Sequence, residues 1–271
     1  MSFITLISDW NSADYYIGAL KGRILGNCPQ AQIIDVNHQI SSYNLNQTVF
    51  VLKNSYKNFP KGTIHIIAVN SEASKDKPFV IVFYDGHYFI GADNGVFHLF
   101  MDGLPEKIIK LHNQQVISSF PELEIYALAA ANLANGISID ELGTVKEKVF
   151  RQLPMLPSIE DSVIIGKVLY IDSYQNIITN VTKDAFEHVG KNRGFVIYVQ
   201  SKSNKITKIN QTYNETPEGE LLALFNSGGY LEIAIRKGKV AELFNLNTNS
   251  TVRIVFDEPA PDDNDQQKSL F

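Results

Sequence analysis

Phe3-Ile4-Thr5-Leu6-Ile7-Ser8-Asp9-Trp10 begins as an apolar run and ends on a carboxylate. Such a run reads as a buried strand, and Asp9 then stands where that strand leaves the core. Two distant stretches repeat the pattern. One runs from Tyr88 to Ala92 and ends in Asp93-Asn94-Gly95; the other runs from Val168 to Ile171 and leads into Asp172 and Asn176. In open α/β sheets, ligands bind beyond the carboxyl ends of the strands. Three such ends point to one polar small-molecule site assembled from distant segments.

Working outward, Tyr16, Ala19, Leu20 and Ile24 fall at helical spacing, which predicts a helix over 14–25, broken by Asn27-Cys28-Pro29. Residues 32–36 read as a second strand and 44–56 as a second helix, with Val49, Leu52 and Tyr56 on one face. After the Pro60-Lys61-Gly62 turn, 63–69 is a third strand. This alternation predicts an α/β N-terminal domain with a mostly parallel sheet. Strands over 78–84 and 87–92 flank Asp85-Gly86, a strong hairpin signal. A further helix is expected over 122–135, stopped by Gly136.

The pattern changes at Leu153-Pro154-Met155-Leu156-Pro157-Ser158. We read 1–152 as the first domain, 153–161 as a linker and 162–257 as a second domain. The second domain is built of short apolar runs between Asn, Gly, Ser and Lys turns, with one helix near 182–189. That spacing suggests a small all-β barrel or sandwich. The tail, 258–271, is acidic and proline-containing, and is expected to be disordered.

Composition narrows the function. A net charge of −5 argues against a nucleic-acid partner, which usually meets a basic patch. Cys28 is the single cysteine, so no intramolecular disulfide or cysteine-cluster metal site can form. The 6 histidines show no H-x-H or H-x-x-x-H spacing, so no metal ligand is predicted. No signal-peptide pattern occurs, and no apolar stretch reaches the roughly 18–20 residues of a membrane span. A cytoplasmic protein without membrane contact is the expectation. G-x-G-x-x-G, Walker A and G-x-S-x-G motifs are all missing.

Taken singly, the strand-end residues have two readings. Asp9 suits a carboxylate that accepts from a ribose diol, and equally a helix N-cap. Asp93-Asn94-Gly95 and the Asp172–Asn176 segment are turn-forming. Asn176 can donate to and accept from an adenine edge. His38, at another strand end, reads as a hydrogen-bonded structural residue.

Taken together, seven segments in order resemble the S-adenosylmethionine hydrolases (adenosine-forming), relatives of the S-adenosylmethionine-dependent fluorinase and chlorinase. They are I-T-L-x-[ST]-D-[FW] at 4–10, D-x-Y-x-G-x-x-K-G at 14–22, I-x-D-[IV]-x-H at 33–38 and F-P-x-G-T-[IV]-H at 59–65. Y-F-[IV]-G-x-D-N-G at 88–95, G-K-V-x-Y-I-D-x-[FY]-x-N-x-x-T-N at 166–180 and N-S-x-G-Y-L-x-I-A at 226–234 complete the set. The resemblance implies an α/β N-terminal domain, a C-terminal β-barrel, and a homotrimer whose substrate lies between one subunit's N-terminal domain and its neighbour's C-terminal domain. It implies no cofactor, S-adenosylmethionine being the substrate or ligand. It further implies that Asp9 holds the ribose hydroxyls, Asp172 the methionine ammonium, Asn176 the adenine and Ser227 the methionine carboxylate. The strand-end pair Asp93 and Asn94, with Phe120, is counted among the substrate-binding residues. The implied reaction is attack of water or hydroxide on the ribose C5′, releasing methionine and adenosine.

The chain departs from the family where water is activated. The family's D-P-G-V-G-[ST]-x-R reads here Asn70-Ser71-Glu72-Ala73-Ser74-Lys75-Asp76-Lys77, and its T-F-H-G-R-D reads Ser119-Phe120-Pro121-Glu122-Leu123-Glu124. Asp is replaced by Asn70, Arg by Lys77 (or Lys75) and His by Pro121. Neither Asn nor Pro can take a proton from water. Two expectations follow. Glu72 and Glu122 take over the catalytic work beside Asn70 and Lys77, or the chain is a catalytically silent or altered adenosyl-ligand-binding protein of the same fold. For both glutamates the plain alternatives are a solvated loop residue and a helix-start carboxylate.

Overall fold

The computed structural model describes residues 2–112 and 119–257, so the expectation for the tail at 258–271 lies outside the described residues. The chain divides into two compact units between Pro154 and Met155.

The first unit contains β1 (Phe3–Ser8), α1 (Tyr15–Asn27), β2 (Gln32–Asn37), α2 (Leu45–Ser55) and β3 (Ile64–Ala68). It continues with β4 (Phe79–Tyr84), β5 (His87–Ala92), α3 (Val96–Phe100), β6 (Lys107–Leu111), α4 (Ala127–Ala134) and β7 (Gly143–Val145). A π-helical turn, Glu122–Tyr126, leads into α4. The sheet order is β2-β1-β3-β5-β4-β6-β7.

This sheet is mixed, which corrects the expectation of a mostly parallel one. β2, β1, β3 and β5 run parallel, but β5–β4, β4–β6 and β6–β7 are antiparallel. The cause lies at Asp85-Gly86. Both residues have positive φ (51° and 73°), the geometry of a two-residue hairpin turn, and Tyr84 pairs directly with His87. The crossover pattern therefore ends at β3, and the chain then proceeds by reversals.

Alternation along the strands fills two cores. Ile4, Leu6, Ile64, Ile66 and Ile90 pack under α1 and α4. Ile7, Ile67, Val80, Val82 and Phe89 pack with Leu52 of α2 and Phe97 and Phe100 of α3. β1 and β3 are neighbours, yet the chain leaves β1 toward β2 on the other side. The carboxyl ends of β1 and β3 thus form a topological switch point, where crevices open in such sheets.

The second unit contains β8 (Ser158–Glu160), β9 (Val163–Ile171), β10 (Ile177–Thr182), α5 (Lys183–Gly190), β11 (Phe195–Val199) and β12 (Ser201–Ile206). β13 (Ile209–Asn210), β14 (Leu221–Phe225), β15 (Tyr230–Ile235), α6 (Val240–Leu243) and β16 (Thr251–Phe256) follow. The strands form a nearly closed, barrel-like sheet in the order β12-β11-β16-β9-β10-β15-β14-β13, with β8 added to β9. Residues 158–160, read from sequence as linker, are therefore a strand. Thr182 caps α5 by accepting from the Ala185 N–H at 3.2 Å. Among the described residues no helix is long and apolar enough to cross a membrane.

Candidate active site

The switch point carries a cavity of about 370 Å³, and it draws on five stretches of the chain. The β1 end gives Asp9 and Trp10, and α1 gives Tyr16. The loop before α2 gives Ser42 and Tyr43. The β3 end gives Asn70, Ser71 and Glu72, and the start of the π-helical turn gives Ser119, Phe120, Pro121 and Glu122.

Asp9 is held by one of its oxygens. Oδ2 accepts the Tyr43 N–H at 2.9 Å and the Asn70 N–H at 3.5 Å. Oδ1 accepts from none of the described residues, so it is available to a ligand hydroxyl. Ser8, one residue before, is almost wholly buried (1% exposed), and its Oγ lies 2.7 Å from His38 Nδ1. His38 Nε2 is 3.0 Å from Asp35 Oδ1. The order Ser-His-Asp invites a nucleophile reading. Burial of Ser8, whose Oγ also accepts the Trp10 N–H at 3.4 Å, makes the trio a brace for the Asp9-Trp10 turn.

Trp10, Tyr16 and Phe120 make an aromatic wall, with ring centroids 5.2–5.9 Å apart. Edge and tilted contacts of this kind leave faces for an apolar or cationic ligand.

Glu122 is 6% exposed. Burial pushes its carboxyl above the ordinary glutamic range and the nearby Asp9 charge adds to this, while its own N–H and the Ser71 hydroxyl pull the other way. One helical turn on, Tyr126 is fully buried, and its hydroxyl meets no partner in hydrogen-bonding geometry among the described residues. Burial, aided by Glu122, holds its phenol protonated. Glu72 lines the same cavity but is exposed.

Asn70 has a left-handed backbone (φ 49°). The Asn94 amide fastens it by donating to Val69 O at 3.1 Å and Asn70 O at 2.9 Å, while Asn94 Oδ1 accepts the Val96 N–H. Asp93 is 0% exposed; it accepts the Phe150 N–H at 2.8 Å, and Lys146 Nζ is 2.8 Å from its other oxygen. The pair Asp93 and Asn94 therefore braces the β3 and β5 ends from behind and does not line the cavity. Lys77 also lies outside the lining, its Nζ 4.6 Å from the centroid of the Phe150 ring, and Lys75 is exposed.

The remaining predicted residues gather in the second unit. Asp172 Oδ1 accepts the N–H groups of Tyr174 (2.9 Å) and Asn176 (2.8 Å), which closes the β9–β10 turn. The Asn176 amide donates to Asp172 Oδ2 and to Glu232 Oε1, each at 3.2 Å. Ser227 is exposed in the β14–β15 turn, where Asn226 Oδ1 accepts the N–H groups of Gly228 and Tyr230 at 3.1 Å. Sequence reading overlooked Tyr16, Tyr43, Ser71, Tyr126 and Glu232. Ser71 and Tyr126 carried a usable signal, the first lying inside one altered segment and the second just beyond the other. Among the described residues no group of three His, Cys, Asp or Glu side chains is placed to hold a metal.

Comparison with known proteins gives the family. Residues 4–143 match the SAM hydroxide adenosyltransferase N-terminal domain, and 166–253 match the C-terminal domain of the same family. An (R)-S-adenosyl-L-methionine hydrolase of Methanocaldococcus jannaschii is 28% identical, covering 94% of this chain and 97% of its own. A fluorinase of Actinoplanes sp. is 24% identical over 93% of this chain and 96% of its own. The fold is shared with an uncharacterized conserved protein from Thermotoga maritima, at a TM-score of 0.81, 23% identity and coverage of 94% and 100%. With both of its domains matched in order, the chain belongs to the SAM hydroxide adenosyltransferase family.

Proposed function

We propose that this chain cleaves S-adenosylmethionine with water, giving adenosine and methionine. The observation that carries the reading is the meeting, in one cavity, of the half-free Asp9 carboxylate, the Trp10–Tyr16–Phe120 wall and the buried carboxyl of Glu122. Asp9 Oδ1 accepts from the ribose hydroxyls. Glu122 takes the proton of a water whose oxygen bonds to C5′. The C5′–S bond breaks, and its electron pair leaves with methionine as a neutral thioether. A sulfonium needs no acid to depart, so the protein's task is to position and deprotonate water in a dry pocket. Asp172, Asn176 and Ser227 take the ammonium, the adenine and the carboxylate, from a neighbouring copy in a homotrimer. Glu72, Asn70 and Lys77 are second to Glu122 in this scheme, because Glu72 is exposed and the other two do not act as bases here.

A second reading is favoured by Asn70 and Pro121: binding without turnover. Incubation with S-adenosylmethionine in H₂¹⁸O separates the two. The hydrolase reading predicts adenosine carrying ¹⁸O at the 5′ hydroxyl, with equimolar methionine. Bound ligand recovered intact after hours would leave the second reading standing.

A further inference from the structure

Glu232 belongs to none of the roles assigned so far, yet its carboxylate accepts from three side chains of the second unit's polar cluster. It lies on β15, 5% exposed, where alternation would place an apolar residue or a solvated one. Its Oε1 accepts from the Asn176 amide at 3.2 Å and from the Tyr213 hydroxyl. Its Oε2 accepts from the Asn226 amide at 3.4 Å. Burial, reinforced by this carboxylate, keeps the Tyr213 phenol protonated, so it stays a donor.

The consequence falls on Asn176. An amide can turn either end toward a neighbour, and the neighbours decide. Here both are carboxylates that only accept, Asp172 Oδ2 on one side and Glu232 Oε1 on the other, each 3.2 Å from Nδ2. Both amide hydrogens are spent on them. Asn176 Oδ1 is left over, and none of the described residues donates to it. With Asp172 alone, one amide hydrogen would be free and the group could flip to suit its ligand. Glu232 removes that freedom.

We infer that Glu232 is a positioning residue that fixes Asn176 as an acceptor only, so that the pocket selects a purine bearing a 6-amino group over one without it. The inference rests on the adenosyl reading above and deepens it by naming what discriminates the base. A site built around a hydrogen bond rejects the analogue that lacks the matching group, because its own polar atom is left unpaired.

The test is equilibrium binding of adenosine and of purine riboside, which lacks only the 6-amino group, to the full chain. The wild type is expected to prefer adenosine by about tenfold or more. In Glu232→Gln, whose amide offers a single acceptor oxygen for three donors, the preference is expected to fall to within about threefold, with adenosine losing and purine riboside nearly unchanged. Loss of stability alone would weaken both ligands alike. In an Asn176→Ala background, Glu232→Gln is expected to change the ratio no further, as a residue acting through Asn176 requires. If Glu232→Gln shows no cooperative melting transition, Glu232→Asp, which keeps the charge and withdraws it by one methylene, is expected to lower the ratio in the same direction. A folded Glu232 variant that retains the wild-type preference overturns the inference and leaves the adenosyl reading intact. A wild type that binds neither nucleoside overturns the adenosyl reading itself.

Discussion

Glu122 lies in one cavity with Asp9 and serves as a base only once it has lost its proton. Burial raises the Glu122 carboxyl above its ordinary 4.5, so the base form is reached later in a pH titration than for a solvated glutamate. The acid limb of kcat/KM should therefore fall at a pH above 4.5, with activity rising as pH rises through it. Glu122→Gln is expected to lower kcat by about 10²–10⁴-fold, roughly 3–5 kcal/mol, and to abolish that limb. A Gln variant with an unchanged rate, or with the limb still in place, would remove Glu122 from the mechanism. The place of Asp9 at the end of β1 was legible in the sequence, where the apolar run stops on a carboxylate. The role of Asp93 and Asn94 was not, because a strand-end Asp or Asn that braces its neighbours looks the same in sequence as one that meets a ligand.

At the scale of elements, the site depends on turns that release strands at the right height. Gly95 follows Asn94 with φ 107°, a region that side chains rarely adopt, and a Cβ placed there would stand 2.6 Å from Gln152 Cβ. It also precedes α3, so the whole β5–α3 junction turns on it. Gly95→Ala is expected to cost about 1–3 kcal/mol, seen as a drop of several degrees in Tm, and to loosen the Asn94 clasp on Asn70. An unaltered Tm would mean that the junction relaxes without strain. This junction also shows where pattern reading ends. Strands of five or six residues with an Asp-Gly turn between them were legible, and so was the two-helix crossover preceding them. α3, with five residues, and β7 and β8, with three each, are too short to develop a period. The π-helical turn at Glu122–Tyr126 is equally invisible, since five residues cannot distinguish its winding from that of α4. Yet it sets which side chains of that segment enter the cavity.

For the molecule as a whole, acid stability hinges on a pair of histidines remote from the cavity lining. His65 and His87 are each 1% exposed. His65 Nδ1 is 2.7 Å from Thr5 Oγ1, its Nε2 is 3.1 Å from His87 Nδ1, and its ring stacks on Phe89 at 4.8 Å. Burial first, and then the neighbouring His87, lowers His65 from 6.5 to about 3; burial and Lys61 lower His87, with Asp85 opposing. Both rings are therefore neutral in the folded protein at pH values where the unfolded chain has taken up protons. Between pH 6.5 and about 3 the unfolded state binds more protons, so stability is full above 6.5 and is lost as pH falls. His65 alone accounts for a loss of about 2 kcal/mol between pH 7 and pH 5. Glu122, raised by burial, works in the other direction, since its folded form holds a proton longer than the unfolded chain does. The measurement must therefore be a difference. Urea unfolding of the wild type and of His65→Gln at pH 7 and pH 5 should show the variant losing about 2 kcal/mol less over that interval, whatever its stability at pH 7. Equal losses in the two proteins would show that the pair is not where the folded state resists protons. The acid sensitivity would then have to be sought among the carboxylates held below their ordinary range, Asp35, Asp85 and Glu215, whose contribution to stability is likewise lost as pH falls.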